Sequence, residues 1–159
     1  MAEADDNLTL IQKVTFLWVN KRFDEILPLI ADDAVYVIAR GSLEKFSPLF
    51  GTFRGKYEIQ RWYESNQQVE AIGGIRPFCL IGDLGEFIPA GNHVINFGTM
   101  TATKTEPACD WTSIWTVRGG LIKNCTMVMD SATAFLKLKR GRPQYQQGAI
   151  GPCIEGTSV

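Results

Sequence analysis

Near residue 75 the hydrophobic pattern of this chain changes period, and that change restricts the fold more than any other feature. Up to about Ala71 the apolar residues recur at helical spacing; beyond it they come in short β-branched and aromatic runs separated by turn residues. Helices followed by a succession of strands give an α+β domain with a largely antiparallel sheet, not an alternating α/β fold. The strand-like runs are 75–82, about 84–89, 93–103, 109–117 and 121–129. Gly82-Asp83, Ala90-Gly91-Asn92, Lys104 to Pro107 and Arg118-Gly119-Gly120 punctuate them.

In the first half, Asn7 caps an expected helix over 8–22, in which Leu10, Val14, Leu17 and Lys21 form one stripe flanked by Ile11, Thr15 and Trp18. A second short helix is expected over 24–30, with Asp24 as its cap and Pro28 near its first turn. Asp32-Asp33 then turn into a short strand, 34–39. Residues 40–55, with their glycines, proline and serines, read as a long irregular connection of the kind that borders sites. A third helix over 56–71 carries Ile59, Trp62, Tyr63 and Asn66 on one face and ends at Gly73-Gly74.

The last two runs form a β-hairpin around Arg118-Gly119-Gly120 that closes on an acid, Asp130. That aspartate has two readings: a cap for a short helix over 131–136, or a carboxylate held at the mouth of whatever the sheet encloses. Period two puts Trp111, Ser113 and Trp115 on one face. A bulge before Asp130 would decide whether Cys125, Met127 and Met129 or Thr126 and Val128 share the inner face.

At 159 residues and 45% hydrophobic content, a single domain over 1–140 is expected, followed by an extended tail over 141–159 that is loose or lies on a partner subunit. A net charge of −1 gives no basic footprint for nucleic acid, and Lys137-Leu-Lys-Arg-Gly-Arg142 reads as a solvated helix end. The acidic start of the chain is not a signal peptide and no apolar run has the roughly 18 residues of a membrane helix. A cytoplasmic location without membrane association is the expectation. Cys79, Cys109, Cys125 and Cys153 have no CxxC spacing and read as free thiols. One histidine, His93, leaves no set of metal ligands; it reads as turn-exposed, with acid–base chemistry as the alternative.

Three stretches carry a family resemblance. Phe23-Asp-Glu-Ile-Leu-Pro-Leu-Ile-Ala-Asp-Asp-Ala-Val-Tyr36, Phe50-Gly-Thr-Phe-Arg-Gly55 before the aromatic helix, and Ile114-Trp-Thr-Val-Arg-Gly-Gly-Leu-Ile122 leading to Asp130 resemble the nuclear-transport-factor-2-like (NTF2-like) superfamily. Within it they resemble the SnoaL-like and ketosteroid-isomerase-like proteins. The resemblance implies an α+β, cystatin-like cone: a curved antiparallel or mixed sheet, N-terminal helices on its concave face, an apolar pocket between them, and a homodimer through the opposite face.

The same resemblance implies acid–base chemistry of cyclase, isomerase, dehydratase or hydrolase type on an apolar cyclic, polyketide- or terpenoid-like molecule, without a cofactor. Asp130 falls where polyketide cyclases and limonene-epoxide hydrolases keep their aspartate, and Tyr36 where the hydrolases position a water. Ser113 would orient a substrate oxygen. Trp18, Trp62, Tyr63, Trp111 and Trp115 would line the pocket; each alone reads as core, and together they suit a flat or hydrocarbon-rich ligand.

The departures are specific. Ile38 stands where ketosteroid isomerases have their general base, Ser113 where they have a protonated aspartate, and strand 93–103 lacks the Arg and Asp of the epoxide hydrolases. The competing expectation is a ligand-binding or dimerisation module without chemistry.

Overall fold

The computed structural model describes residues 2–39, 44, 49–71, 86–100 and 109–130. The strand expected over 75–82, the helix over 131–136, the basic run 137–142 and the tail 141–159 lie outside these residues, as do Cys79 and Cys153.

Helix α1 spans Ala2–Val19. It begins well before the boundary that capping by Asn7 predicts, because Glu3 and Asp5 occupy the first turn, where the positive end of the helix dipole favours acids. Asn7 is instead buried within the helix and donates from Nδ2 to the Gly91 carbonyl, 3.3 Å away, tying α1 to a turn of the sheet. The helix stops at a Schellman arrangement: Arg22 N–H donates to Leu17 O, Lys21 N–H donates to Trp18 O, and Lys21 takes a left-handed φ of 60°. The expected second helix is a single α turn, α2 (Phe23–Ile26), continued as a 3₁₀ turn over Leu27–Leu29 that accommodates Pro28. Asp24 lies in its first turn rather than capping it; the cap position is Arg22, with no side-chain bond.

Strand β1 runs Ile30–Ile38 and so contains the acidic pair that reads in sequence as a turn. Ile30 pairs with Ile122 and Val35 with Asn124, so β1 carries extra residues between these pairings. Asp32 and Asp33 sit in that irregularity, exposed, where a strand tolerates charge. Lys56 and Lys123 bridge to them at 2.9 and 2.7 Å. The expected irregular connection contains a short strand, β2 (Gly51–Arg54), antiparallel to β1. Helix α3 follows at once, Gly55–Ala71, with Glu58 reaching back to the Arg54 amide at 2.6 Å. Gly55 has φ 76° and a Cβ there would lie 3.3 Å from the Asp32 carbonyl, so glycine opens this helix for two independent reasons.

The remaining strands are β3 (Glu86–Ala90), β4 (His93–Met100), β5 (Cys109–Arg118) and β6 (Leu121–Met129). Gly119 and Gly120 have φ 59° and 70°, the two positive values that a type I′ hairpin turn requires. Among the described residues six strands form one mixed sheet in the order β2-β1-β6-β5-β4-β3, with β1 and β6 parallel and the other neighbours antiparallel. Helix α3 packs on β1 and β2, and α1 on β3 and β4, covering one face of the sheet. The core lies in that layer, from Ile11, Val14 and Leu17 through Ile59, Trp62 and Tyr63 to Tyr36, Val94, Trp115 and Ile122. No helix among the described residues is long and apolar enough to cross a membrane.

Candidate functional site

Alternation along the strands decides which side chains meet the helices. Cross-strand pairing sets Tyr36, Cys125, Trp115 and Val94 in one row across β1, β6, β5 and β4, and Ile38, Met127, Ser113 and Asn96 in the next. The register shift in the hairpin falls at Thr116/Val117, beside the turn, and not before Asp130. Cys125 and Met127 therefore face inward and Val128 is exposed.

Between these rows and the helices lies a cavity of about 50 Å³. Trp18, Tyr36, Trp62, Tyr63, Trp111 and Trp115 line it together with Val14, Thr15, Ile38, Asn96, Ser113, Cys125 and Met127. The chain has four tryptophans and all four line this space. Trp18 stacks on Trp62 with ring centres 5.2 Å apart and planes 15° apart, and Phe23 stacks on Tyr63 at 5.2 Å. Tyr36 meets Trp62, Tyr63 and Trp115 edge-on, at 5.9, 6.4 and 5.9 Å. Edge-to-face contacts of this kind suit the ring quadrupoles and fix each ring's orientation.

The polar atoms of the wall form two groups. Asn96 Oδ1 accepts from the Ser113 hydroxyl and from Trp115 Nε1–H, the latter at 2.9 Å, and the same indole N–H lies 2.8 Å from Ser113 Oγ. Because an indole can only donate, this network assigns the oxygen of the Asn96 amide and leaves its NH₂ directed elsewhere. The second group is the pair of hydroxyls of Tyr36 and Tyr63, 3.3 Å apart. Trp62 Nε1–H is anchored outside the cavity, on the Leu49 carbonyl at 3.0 Å, and Thr15 bonds back to Ile11 O at 2.9 Å. Trp111 Nε1–H is fully buried and has no hydrogen-bond partner among the described residues.

The cavity is electrically neutral. No carboxylate, lysine, arginine or histidine appears in its described lining. Burial pushes the Tyr36 phenol well above its ordinary value, reinforced by Tyr63 and Cys125. Burial likewise raises Tyr63, against the bond from Tyr36, and raises the Cys125 thiol. All three remain protonated at neutral pH.

No family model matches the sequence, and no curated protein does. Solved structures do. TerC, crystallised with polyporic acid, is 22% identical, with a TM-score of 0.66 over 84% of this chain and 98% of its own. An NTF2-like protein of unknown function from Burkholderia pseudomallei is 18% identical, with a TM-score of 0.68 over 84% of this chain and 97% of its own. A ketosteroid isomerase candidate from Kribbella flavida is 13% identical, with a TM-score of 0.57 over 80% of this chain and 79% of its own.

The fold is NTF2-like.

Within this NTF2-like frame the residues expected at the site separate. Tyr36, Ile38, Trp62, Tyr63, Trp111, Ser113, Trp115 and Trp18 all reach the cavity. Asp130 does not join its described lining: it is exposed just beyond β6, its amide N–H donating to Asp110 O at 2.9 Å. His93 is exposed at the start of β4, with Nδ1 3.1 Å from Thr116 Oγ1. Asn96 is the polar residue that sequence reasoning missed. Sequence alone could not mark it, because Val94, Ile95 and Phe97 make both parities of β4 apolar until strand pairing fixes the inward face.

Proposed function

We propose that this chain is a small-molecule-binding protein of SnoaL-like kind, whose cavity receives a flat, apolar ligand and holds it by aromatic contact and a few hydrogen bonds from neutral donors. One observation carries the reading: all four tryptophans and two buried tyrosines converge on a single neutral cavity. A hydrophobic core needs bulk, but it does not need a buried Asn–Ser–Trp network and an indole N–H left without an acceptor. The TerC structure with polyporic acid supports the idea that this architecture accommodates a small molecule.

The enclosed space of about 50 Å³ is well below the roughly 300–1,000 Å³ of ordinary ligand pockets, so binding must displace side chains. Trp18, on α1, is the one tryptophan of the wall that is half-buried rather than buried. The test is a titration with apolar aromatic compounds followed by tryptophan fluorescence, since every tryptophan lines the site. Saturable changes that persist in a Phe16→Ser surface variant and shift in Trp18→Ala support the reading; a spectrum unmoved by the whole panel refutes it.

Acid–base catalysis on a cyclic, polyketide- or terpenoid-like substrate is the second reading. The Tyr36–Tyr63 pair favours it, because two coupled neutral phenols can donate to an oxygen that gains charge. Asp130 would supply the base from the end of β6. Turnover lost in Asp130→Asn, with ligand binding retained, supports catalysis; turnover and binding both unchanged in Asp130→Asn and Tyr36→Phe exclude it.

A further inference from the structure

The long helices α1 and α3 flank the middle of the sheet. α1 packs on β3 and β4 and α3 on β1 and β2, while the strand order puts β6 and β5 between them. The cavity lies over that middle, where Trp111, Ser113 and Trp115 of β5 and Cys125 and Met127 of β6 form its floor. Above the floor the two helices meet through side chains. Trp18 of α1 stacks on Trp62 of α3 with ring centres 5.2 Å apart and lies tilted against Tyr63 at 5.0 Å. On this side the cavity is closed by a seam of rings.

One ring of the seam is held differently from its neighbours. Trp62 Nε1–H is anchored on the Leu49 carbonyl, Trp115 Nε1–H on Asn96, and the Tyr63 hydroxyl against that of Tyr36. Trp111 lacks such a bond but is buried. Trp18 is half-buried and, among the described residues, is held by rings without a hydrogen bond: Trp62, Tyr63 and, edge-on at 5.0 Å, Phe23. Its backbone, by contrast, is fixed. Lys21 N–H donates to Trp18 O at 3.0 Å, Arg22 N–H donates to Leu17 O at 2.9 Å, and nearer the start of α1 the Asn7 amide is tied to Gly91. Swinging the indole about its side-chain torsions gives up ring contacts alone, whereas displacing α1 gives up its tie to the sheet as well.

We propose that ligand enters the cavity through the seam between α1 and α3, and that Trp18 is the gate, its indole swinging off Trp62 and Tyr63 while both helices stay in place. The inference rests on the reading of the cavity as a ligand site and adds the route by which that site is reached. Phe23 is the gatepost. It stacks on Tyr63 at 5.2 Å, meets Trp18 edge-on and is not part of the described lining, so it sets how readily the gate opens without touching what lies inside. A gate changes the rates of arrival and departure together, because both cross the same barrier; a residue that only contacts the ligand acts chiefly on departure.

The probe is N-phenyl-1-naphthylamine, a neutral dye whose emission rises on leaving water, mixed with the full chain in stopped flow. A saturable shift of the Trp115 indole N–H signal in ¹H–¹⁵N NMR marks the dye as bound in the cavity. Trp18→Ala and Phe23→Leu are each expected to speed association and dissociation alike, by about 3- to 10-fold, the factor that one aromatic pair is worth. The Kd of Phe23→Leu is expected to stay within about twofold of the native value, since both rates move together. Association at the native rate in either folded variant overturns the gate, whatever happens to dissociation. In the native chain without dye, relaxation dispersion is expected at the Trp18 indole N–H and not along the backbone amides of α1. Dispersion along the whole helix, or at neither place, overturns the inference too, and this arm needs no variant to fold. If the dye gives no saturable Trp115 shift, the ligand-site reading itself falls, an outcome distinct from binding at unaltered rates.

Discussion

At the scale of single residues, the molecule turns on what lies beside a buried polar atom. Asn96 illustrates the point: 1% exposed, it receives both Ser113 and Trp115, so Asn96→Leu strands the Ser113 hydroxyl and is expected to cost about 1–3 kcal/mol in urea unfolding. Ser113→Ala leaves the Trp115–Asn96 bond in place and should cost less. The buried phenols and thiol make a second prediction, with a definite sign. Tyr36, Tyr63 and Cys125 have folded-state values raised above the ordinary 10.0, 10.0 and 9.0, so the folded protein holds its protons longer than the unfolded chain. Their contribution is fully present at neutral pH and is lost as pH climbs beyond about 9. A urea midpoint flat from pH 6 to 8 and falling above 9, with a shallower fall in Tyr63→Phe, is the expected result. The sequence disclosed these aromatics as a group through sheer number and parity. It hid Asn96, because one amide in a β-branched run is indistinguishable from a surface residue until register shows which way the strand faces. For Asp130 it disclosed position alone, because a place at the end of an apolar strand says nothing about the direction of the side chain.

At the scale of elements, type was more legible than boundary. The run 121–129 matches β6 residue for residue, since the paired glycines at 119 and 120 fix where the returning strand begins. Where the reading slipped, a tertiary contact overrode a local signal. Asn7 is a good cap by type, but the sheet claims its amide through Gly91. The Asp32-Asp33 pair resembles a turn by type, but pairing of Ile30 with Ile122 and of Val35 with Asn124 on either side carries it within β1 as an exposed irregularity. The end of α1 yields a prediction of its own. Lys21 adopts φ 60° at the position where glycine is the usual occupant. Lys21→Gly is expected to stabilise the fold by about 0.5–1 kcal/mol, and thermal unfolding should rise by about 1–4 °C.

At the scale of the whole molecule, the described helices cover one face of the sheet, and the described residues of the other face include exposed apolar side chains. That face carries Ile88, Phe97, Ile114 and Val128 on four successive strands, all exposed. We take this face as the surface of the proposed homodimer, because an apolar patch spread over paired strands is what a second copy would cover. Ile114→Glu in the middle of the patch is expected to shift sedimentation from dimer to monomer while leaving the far-ultraviolet circular dichroism unchanged. Helices before most of the strands, and a core between them, were readable from periodicity; the short strand β2, hidden in the expected irregular connection, was not, nor was the strand order, because both depend on pairing between segments. That pairing, parallel between β1 and β6, also governs how the chain matures. Residues 35–38 cannot complete their hydrogen bonds until 124–127 arrive, so the apolar segment Val35-Tyr36-Val37-Ile38 waits as an unprotected edge while the intervening chain is made. Anything that delays the last hairpin lengthens that exposure, and yield of folded protein is expected to follow the folding rate of residues 109–129 more closely than the stability of the finished structure.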